Sequence, residues 1–192
     1  MYDVVVTKGL VLGKRGVGEA NTLVSIVTAD LGLVRASARS SRAEKSKLRY
    51  VLEPLTMGRF SLIRGRHEWR LTGAEAAERA FSAALPERRT AAGRISRLLI
   101  RLIQGQEPVP ALFDVVESGF AALASVPDDE AVGVEYITVL RIVSLLGYLP
   151  QSRALEQFVG TSSYGRDLNL QAGSMKPALA KAINTALEVS GL

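Results

Sequence analysis

The chain has 192 residues, of which 47% are hydrophobic and 22% charged, a composition typical of a folded globular protein. It contains no cysteine and a single histidine, His67, which excludes disulfides and thiolate metal sites and argues against any metal or cofactor. No stretch reaches the roughly 18 uncharged apolar residues of a membrane span, and Asp3 stands where a signal peptide needs cations, so we expect a cytoplasmic protein.

Positive charge is concentrated in the first part of the chain. Residues 1–73 contain 13 lysines and arginines against 6 acidic residues, whereas residues 74–192 contain 11 against 13. The formal net charge of +5 therefore originates in the N-terminal part. A basic module followed by a mildly acidic one predicts that the first meets phosphates and the second meets protein.

The N-terminal part has the pattern of short β-strands joined by turns. Residues 2–12 and 22–28 are rich in valine and other β-branched residues, and with residues 33–38 they predict a three-stranded meander. Residues 50–63 predict a fourth strand interrupted near Pro54, and residues 68–71 predict a fifth. Five short strands with a long connection after the third fit a small OB-type barrel, with a sandwich fragment or an SH3-like barrel as alternatives.

The long connection after the third strand is the most basic part of the chain. Its segment at 35–49, RASARSSRAEKSKLR, contains six cations and one acid, Glu44. Because like charges repel, the segment is costly to pack and predicts a mobile loop that stays solvated unless a polyanion neutralises it. Taken alone, the run is compatible with a plain surface loop and with a nucleic-acid contact.

From residue 74 onward the hydrophobic period is that of amphipathic helices. Helices are predicted at 74–85, 88–103, 111–124, 130–146, 152–159 and 174–189, with an irregular loop at 160–173. The helix at 130–146 is apolar nearly all round except for Arg141, which needs an internal partner such as Glu135 or Glu117, or an external carboxylate. We expect an α+β chain, with a five-stranded OB-fold barrel at 1–73 followed by an all-α helical bundle at 74–192.

The segment GEANTLVSIVTADLGLVRASARSSRAEKSKLR resembles the N-terminal OB barrel of the RecO family of recombination mediators. The stretch LLGYLP at 145–150 is similar to the family's sequence just before its zinc-binding insertion, but residues 151–173 contain no cysteine. The glycine that the family usually has between Ala38 and Arg42 is also missing. The chain therefore resembles a short RecO without the zinc knuckle. The matching positions are Gly18, Glu19, Leu23, Val24, Thr28, Gly32, Ser46, Leu48 and Pro54.

The resemblance implies a DNA repair protein that binds single- and double-stranded DNA, anneals complementary strands and helps load recombinase. It also implies RecR and the tail of single-stranded-DNA-binding protein as partners, with Arg141 and its apolar surroundings as the tail site. Such a protein is not an enzyme and is cytoplasmic and nucleoid-associated, and we expect a monomer. The alternative functions are an RNA-binding factor or a protein-interaction scaffold with the same barrel. The third alternative is an enzyme, in which the acidic residues at 128–130 would have to be the catalytic groups. These acids are explained more simply as the first turn of a helix.

The cations of the barrel are the candidate DNA contacts. Tyr50, Phe60 and Trp69 are the few aromatic residues that could stack on bases, so we expect binding to depend on charge rather than on stacking. No segment has the pattern of a base-reading helix, which predicts indifference to sequence. The predicted nucleic-acid-binding residues are Lys8, Lys14, Arg15, Arg35, Arg39, Arg42, Lys45, Lys47, Arg49, Arg64, Arg66 and Arg70.

Overall fold

The computed structural model describes residues 3–43, 45–46, 48–66, 68–78, 81, 84–103, 105 and 107–191, with the backbone alone at 77 and 78. The predictions for Glu44, Lys47 and His67 lie outside these residues. The chain divides into two compact units. One, the barrel unit, comprises Met1–Ala83 and Ser96–Phe113, and the other, the helical unit, comprises Ala84–Ile95 and Asp114–Leu192.

Five strands form a closed barrel in the order β1-β2-β3-β5-β4. The β3–β5 pair is parallel and the other four pairs are antiparallel. This arrangement is the predicted OB fold, and it excludes the sandwich fragment. The strands are β1 (Val4–Val17), β2 (Asn21–Thr28), β3 (Gly32–Ala38), β4 (Met57–Arg64) and β5 (Trp69–Glu78).

The described part of the chain has seven helices in addition to the barrel strands. The first lies between β3 and β4, and the other six follow β5, which confirms the predicted helical C-terminal part. None of the described helices is long and apolar enough to cross a membrane. The helices are α1 (Leu48–Val51), α2 (Pro86–Leu102), α3 (Pro110–Ser125), α4 (Asp128–Leu145), α5 (Arg153–Val159), α6 (Arg166–Ser174) and α7 (Lys176–Val189).

Inward-facing apolar side chains of all five strands fill the barrel, including Ile26, Val34 and Phe60, which are fully buried. Leu52, just after α1, belongs to the same core and is 1% exposed, and Leu48 packs against it. The connection between β3 and β4 therefore closes one end of the barrel. Its basic residues are carried by a segment whose apolar side chains anchor it.

Four segments differ from the sequence-based prediction. β1 continues to Val17, beyond the strand end predicted at residue 12. Tyr50 and Val51 are helical instead of beginning the fourth strand, which starts at Met57. Ala74–Glu78 continue β5 instead of starting a helix, because pairing with β4 outweighs the helical preference of alanine and glutamate. Arg166–Ser174 form α6 where the sequence predicted a loop.

The predicted domain boundary at residue 73 falls inside β5. The division into two functional domains stays a prediction.

The apolar helix α4 contacts α5, α6 and α7, which confirms its predicted central position among the helices. Its first turn contains a buried carboxylate, Glu130, which is 4% exposed. Glu130 accepts hydrogen bonds from Arg166 Nη1 at 2.9 Å and from Asn169 Nδ2 at 2.7 Å, and this pairing stabilises a charge that would otherwise be costly to bury. The helix missed in the sequence, α6, supplies both donors.

Close packing of α4 on α6 requires a glycine at position 133. A Cβ placed there would overlap the carbonyl oxygen of Asn169, whereas a Cβ at Gly173 would lie 3.8 Å from the nearest atom, the Gly133 nitrogen. Gly133→Ala should therefore lower the free energy of unfolding by about 2 kcal/mol or more, because the two helices must separate. Gly173→Ala, the matched control, should be neutral or stabilise by up to about 1 kcal/mol. Urea unfolding measures both, and equal effects would contradict this packing.

Candidate nucleic-acid interface

Every described residue of the predicted DNA-binding set is exposed on the barrel unit. Burying a cation without a paired acid is energetically costly, so unpaired lysines and arginines are expected at the surface. The structure gathers six of these cations into two clefts, three in each, and distributes the others over the outer surface. The prediction for Lys47 lies outside the described residues.

The first cleft has a volume of about 530 Å³ and contains Lys14, Arg42 and Arg49. Lys14 Nζ donates to Glu53 Oε1 at 2.7 Å, with 31% of the lysine side chain and 49% of the glutamate side chain exposed. Arg42 Nη1 donates to the Gly18 carbonyl at 3.0 Å. The cleft therefore has three positive charges and one negative charge. Its remaining lining residues are Gly16, Thr22, Ser41 and Leu52.

A short anchored turn positions the start of the basic segment beside the β1–β2 hairpin. The backbone N–H of Ser40 donates to Asn21 Oδ1 at 3.1 Å, Ser41 Oγ donates to Thr22 Oγ1 at 2.8 Å, and the Arg42 N–H donates to the Ala20 carbonyl. Ser40 adopts φ +51°, the left-handed conformation that a glycine would adopt most easily. Residues 40–42 are thus fixed by hydrogen bonds, whereas the sequence predicted a mobile loop.

The second cleft has a volume of about 500 Å³ and contains Arg39, Arg66 and Arg70, with no acidic residue in its described lining. The Gly65 N–H donates to the Glu68 carbonyl at 3.0 Å and closes the β4–β5 turn that carries Arg66. Arg70 lies on β5 beside Ser37 of β3 and Ile63 of β4. The other lining residues are Leu48, Gly65, Leu71 and Thr72.

The strand register extends the second cleft across the sheet. Arg15 is paired with Leu23, Leu23 with Ser37, and Ser37 with Arg70, so one row leads from Arg15 to the cleft. With strands about 4.8 Å apart, this row spans roughly 14 Å. Arg35 is one outward position further along β3, opposite Ser25 of β2.

Five described cations of the predicted set line neither cleft, namely Arg15 and Arg35 described above and three others. Arg64 places its guanidinium 5.8 Å from the ring centroid of Trp69, Lys45 is exposed in a turn, and Lys8 is paired in register with Arg59 of β4. Arg59 is not among the cations predicted for the interface. Its exposed position between buried Gly58 and Phe60 follows the period-2 alternation of a strand, which is the signal that could have identified it.

The predicted stacking residues are mostly unavailable. Phe60 and Trp69 are 0% and 5% exposed and belong to the barrel core, so neither can receive a base. Tyr50 on α1 is 59% exposed. Of the three predicted aromatic residues, only this one can stack on a nucleic acid, which strengthens the expectation that charge dominates binding.

Arg141 of the helical unit is buried, with 3% exposure. It donates to the carbonyls of Phe158 at 2.9 Å, Ser162 at 3.2 Å and Ser163 at 2.7 Å, and its guanidinium lies 4.4 Å from the ring centroid of Tyr164. These contacts fasten the loop after α5 to α4. A partner-binding role for Arg141 stays a prediction, and it would require these hydrogen bonds to be shared or replaced.

Glu135, which the sequence offered as a partner for Arg141, pairs with another arginine. Arg94 donates from Nε to Glu135 Oε1 and from Nη2 to Oε2, both at 2.6 Å. This two-fold hydrogen bond raises the pKa of Arg94, which therefore stays positively charged at neutral pH. Among the described residues, no cluster of three or more histidines and carboxylates is placed to hold a metal ion.

Two family models match the chain. Residues 1–79 match the model described as Recombination protein O N terminal, and residues 86–154 match Recombination protein O C terminal. The boundary between these matches lies just after β5.

Several curated proteins named DNA repair protein RecO are similar to this chain. The protein from Heliobacterium modesticaldum is 31% identical over 75% of this chain and 52% of its own length. One from Dehalococcoides mccartyi strain 195 is 26% identical over 82% of this chain and 64% of its own length. One from Xanthomonas campestris pv. campestris is 36% identical over 62% of this chain and 49% of its own length. The chain thus spans about half the length of the curated relatives it matches.

The contacts of Arg141 predict a structural role that a lysine cannot fulfil. Arg141→Lys keeps the charge but loses the planar fork that reaches three carbonyls, so it should lower the free energy of unfolding by about 1–3 kcal/mol. Arg153→Lys, on the exposed surface of α5, is the control and should change it by less than about 0.5 kcal/mol. Both are measured by urea unfolding. A fully stable Arg141→Lys variant would show that these hydrogen bonds contribute little.

Proposed function

The chain belongs to the RecO family of DNA repair proteins, and on this basis we propose that it is a non-catalytic DNA-binding mediator of recombinational repair. It binds single- and double-stranded DNA on its OB barrel, anneals complementary strands and helps recombinase load. The observation that supports this most directly is the pair of basic clefts, which expose six cations against one acid.

Binding follows from release of counterions condensed on the DNA. Each phosphate neutralised by a lysine or arginine releases condensed cations, so affinity falls as salt rises, with a slope of about −0.7 per contact for single strands. Six cleft cations correspond to a slope of about −4. Contacts with the bases should contribute little to the affinity. Of the three predicted stacking residues, Tyr50, Phe60 and Trp69, only Tyr50 is exposed.

Annealing requires no chemical step on this surface. Two DNA backbones repel each other. At physiological ionic strength, salt screens this repulsion at separations beyond about 8 Å, but it persists when the strands approach more closely. A protein that neutralises both backbones removes this repulsion and raises the local concentration of the second strand. Catalytic residues have no part in such a mechanism.

RecR and the tail of single-stranded-DNA-binding protein are the proposed protein partners. An acidic, hydrophobic tail needs exposed apolar side chains beside cations. The helical unit has a groove of about 450 Å³ in which Leu85 and Val132 are 49% and 40% exposed. Its arginines, Arg88 and Arg94, are paired with the lining carboxylates Asp128 and Glu135, and Glu87 lines the groove as well, so an acidic tail must open these ion pairs to reach the arginines. Because Arg141 is buried, we propose this groove for the apolar side chains of the tail.

Salt titration tests the DNA-binding proposal. The affinity for a labelled single strand, measured by fluorescence anisotropy, should fall by orders of magnitude between 50 and about 300 mM salt. The triple variant Arg39→Ala, Arg66→Ala, Arg70→Ala should bind more weakly and reduce the slope by about 2, since it removes three phosphate contacts. A triple alanine variant of Arg89, Arg153 and Lys181 changes the net charge equally on the helical unit and should behave as wild type.

Two outcomes would contradict this proposal. A flat salt response would exclude counterion release as the source of affinity. A clear preference for RNA over DNA of the same sequence at equal salt would favour the alternative of an RNA-binding factor.

Binding of a labelled tail peptide tests the groove. Leu85→Asp with Val132→Asp should abolish binding, because it places like charge and polar groups in the apolar part of the groove. Ala111→Asp, at an exposed position of α3, is the control and should bind normally. Unchanged peptide binding by the double variant would exclude this groove.

A further inference from the structure

We infer that the two clefts hold two separate DNA strands, and that Glu53 makes the first cleft the weaker and more readily exchanged of the two. This inference rests on the proposed function, since it concerns how the same surface handles its ligand. In an annealing reaction, each of the two strands would therefore bind a different cleft of the same barrel.

The basic segment contributes to the two clefts alternately. Arg39 lines the second cleft, and Arg42, only three residues later, lines the first. Between them the left-handed turn at Ser40, with φ +51°, changes the direction of the chain. At α1 the same division recurs, because Leu48 lines the second cleft while Arg49 lines the first. No described residue lines both clefts, so we infer that the described residues between 39 and 53 separate them.

This separating segment is anchored and cannot move aside to merge the clefts. Leu52 is 1% exposed in the barrel core, and its N–H donates to the Leu48 carbonyl at 3.0 Å. After it, Leu55 donates to the Val11 carbonyl at 2.8 Å, and Val11 donates to the Thr56 carbonyl at 3.0 Å, so the chain is tied to β1. Displacing this segment would expose a core leucine to water and break its hydrogen bonds to β1.

The two clefts differ in one charge. In the first, the Glu53 carboxylate lies 2.7 Å from Lys14 Nζ, where a phosphate oxygen would otherwise be bound. A strand entering this cleft must displace or repel that carboxylate. In the second, Arg39, Arg66 and Arg70 face no acid among the described lining residues. The second cleft should therefore retain a strand while the first samples others, which is the asymmetry that a search for a complementary strand requires.

Native mass spectrometry of the intact protein with two short, non-complementary oligonucleotides of different mass tests the two-strand arrangement. Wild type should form a complex of one protein with two strands. The variants Lys14→Ala, Arg42→Ala, Arg49→Ala and Arg39→Ala, Arg66→Ala, Arg70→Ala should each bind one strand and lose annealing, with folding verified by circular dichroism.

The outcomes separate this inference from the proposed function. Wild type that binds no strand would overturn the proposed function itself. Wild type that binds DNA but stops at one strand under saturating conditions would overturn the two-cleft inference alone. Retention of two strands by either folded variant would do the same.

The variant Glu53→Gln gives a second test, in which the expected result is tighter binding of DNA. It releases Lys14 from its ion pair, so the weaker of the two binding steps should tighten about two- to fivefold, the range that an exposed ion pair can account for. The tighter step should not change. Glu188→Gln, at an exposed position of α7, alters the net charge equally and should shift neither step. An unchanged weaker step in Glu53→Gln, or an equal effect in Glu188→Gln, would overturn the role assigned to Glu53.

Discussion

Closure of the five-stranded barrel is the constraint on which the candidate interface depends. The long strand β1 makes this possible, since Val4–Leu10 pair with β4 while Gly9–Val17 pair with β2. An irregularity between Val11 and Gly13 shifts the register at the changeover. Parallel pairing of β3 with β5 completes the ring and brings Arg70 beside Ser37. Residues distant in sequence thereby become neighbours on one surface, and no open sheet edge competes for them.

The basic segment illustrates how a sequence that repels itself can still be held in place. Its cations lie on the surface, but the residues between and after them provide the anchors, namely Ser40 and Ser41 on the hairpin and Leu52 in the core. The hydrophobic and hydrogen-bonding contributions of these anchors hold together charges that would otherwise spread apart. Concentrated positive charge of this kind is relieved when a polyanion binds, which links the stability of the fold to the proposed function.

In the helical unit, hydrogen bonds stabilise two buried charged side chains. Arg141 is satisfied by three backbone carbonyls and the face of Tyr164, and Glu130 is satisfied by Arg166 and Asn169. Both sets of contacts connect α4 to residues 158–169, a mostly polar stretch in which Phe158 is fully buried. Polar contacts from the central helix thus add to the burial of Phe158 in ordering this segment.

The sequence by itself determined a strand-rich N-terminal part followed by helices, the apolar central helix and the unequal distribution of charge, because these follow from hydrophobic periods and composition, which are local properties. The family resemblance favoured the OB barrel among the alternatives, and the tertiary structure showed how it closes. The sequence also identified the exposed cations other than Arg59. Only the tertiary structure decided that Phe60 and Trp69 face the core, that Ala74–Glu78 extend β5, and that Arg141 binds carbonyls instead of a carboxylate. It likewise decided the pairing of Lys14 with Glu53 and the division of the cations into two clefts. The partner of a side chain depends on which distant strands and helices the closed fold brings next to it, and no local pattern encodes that.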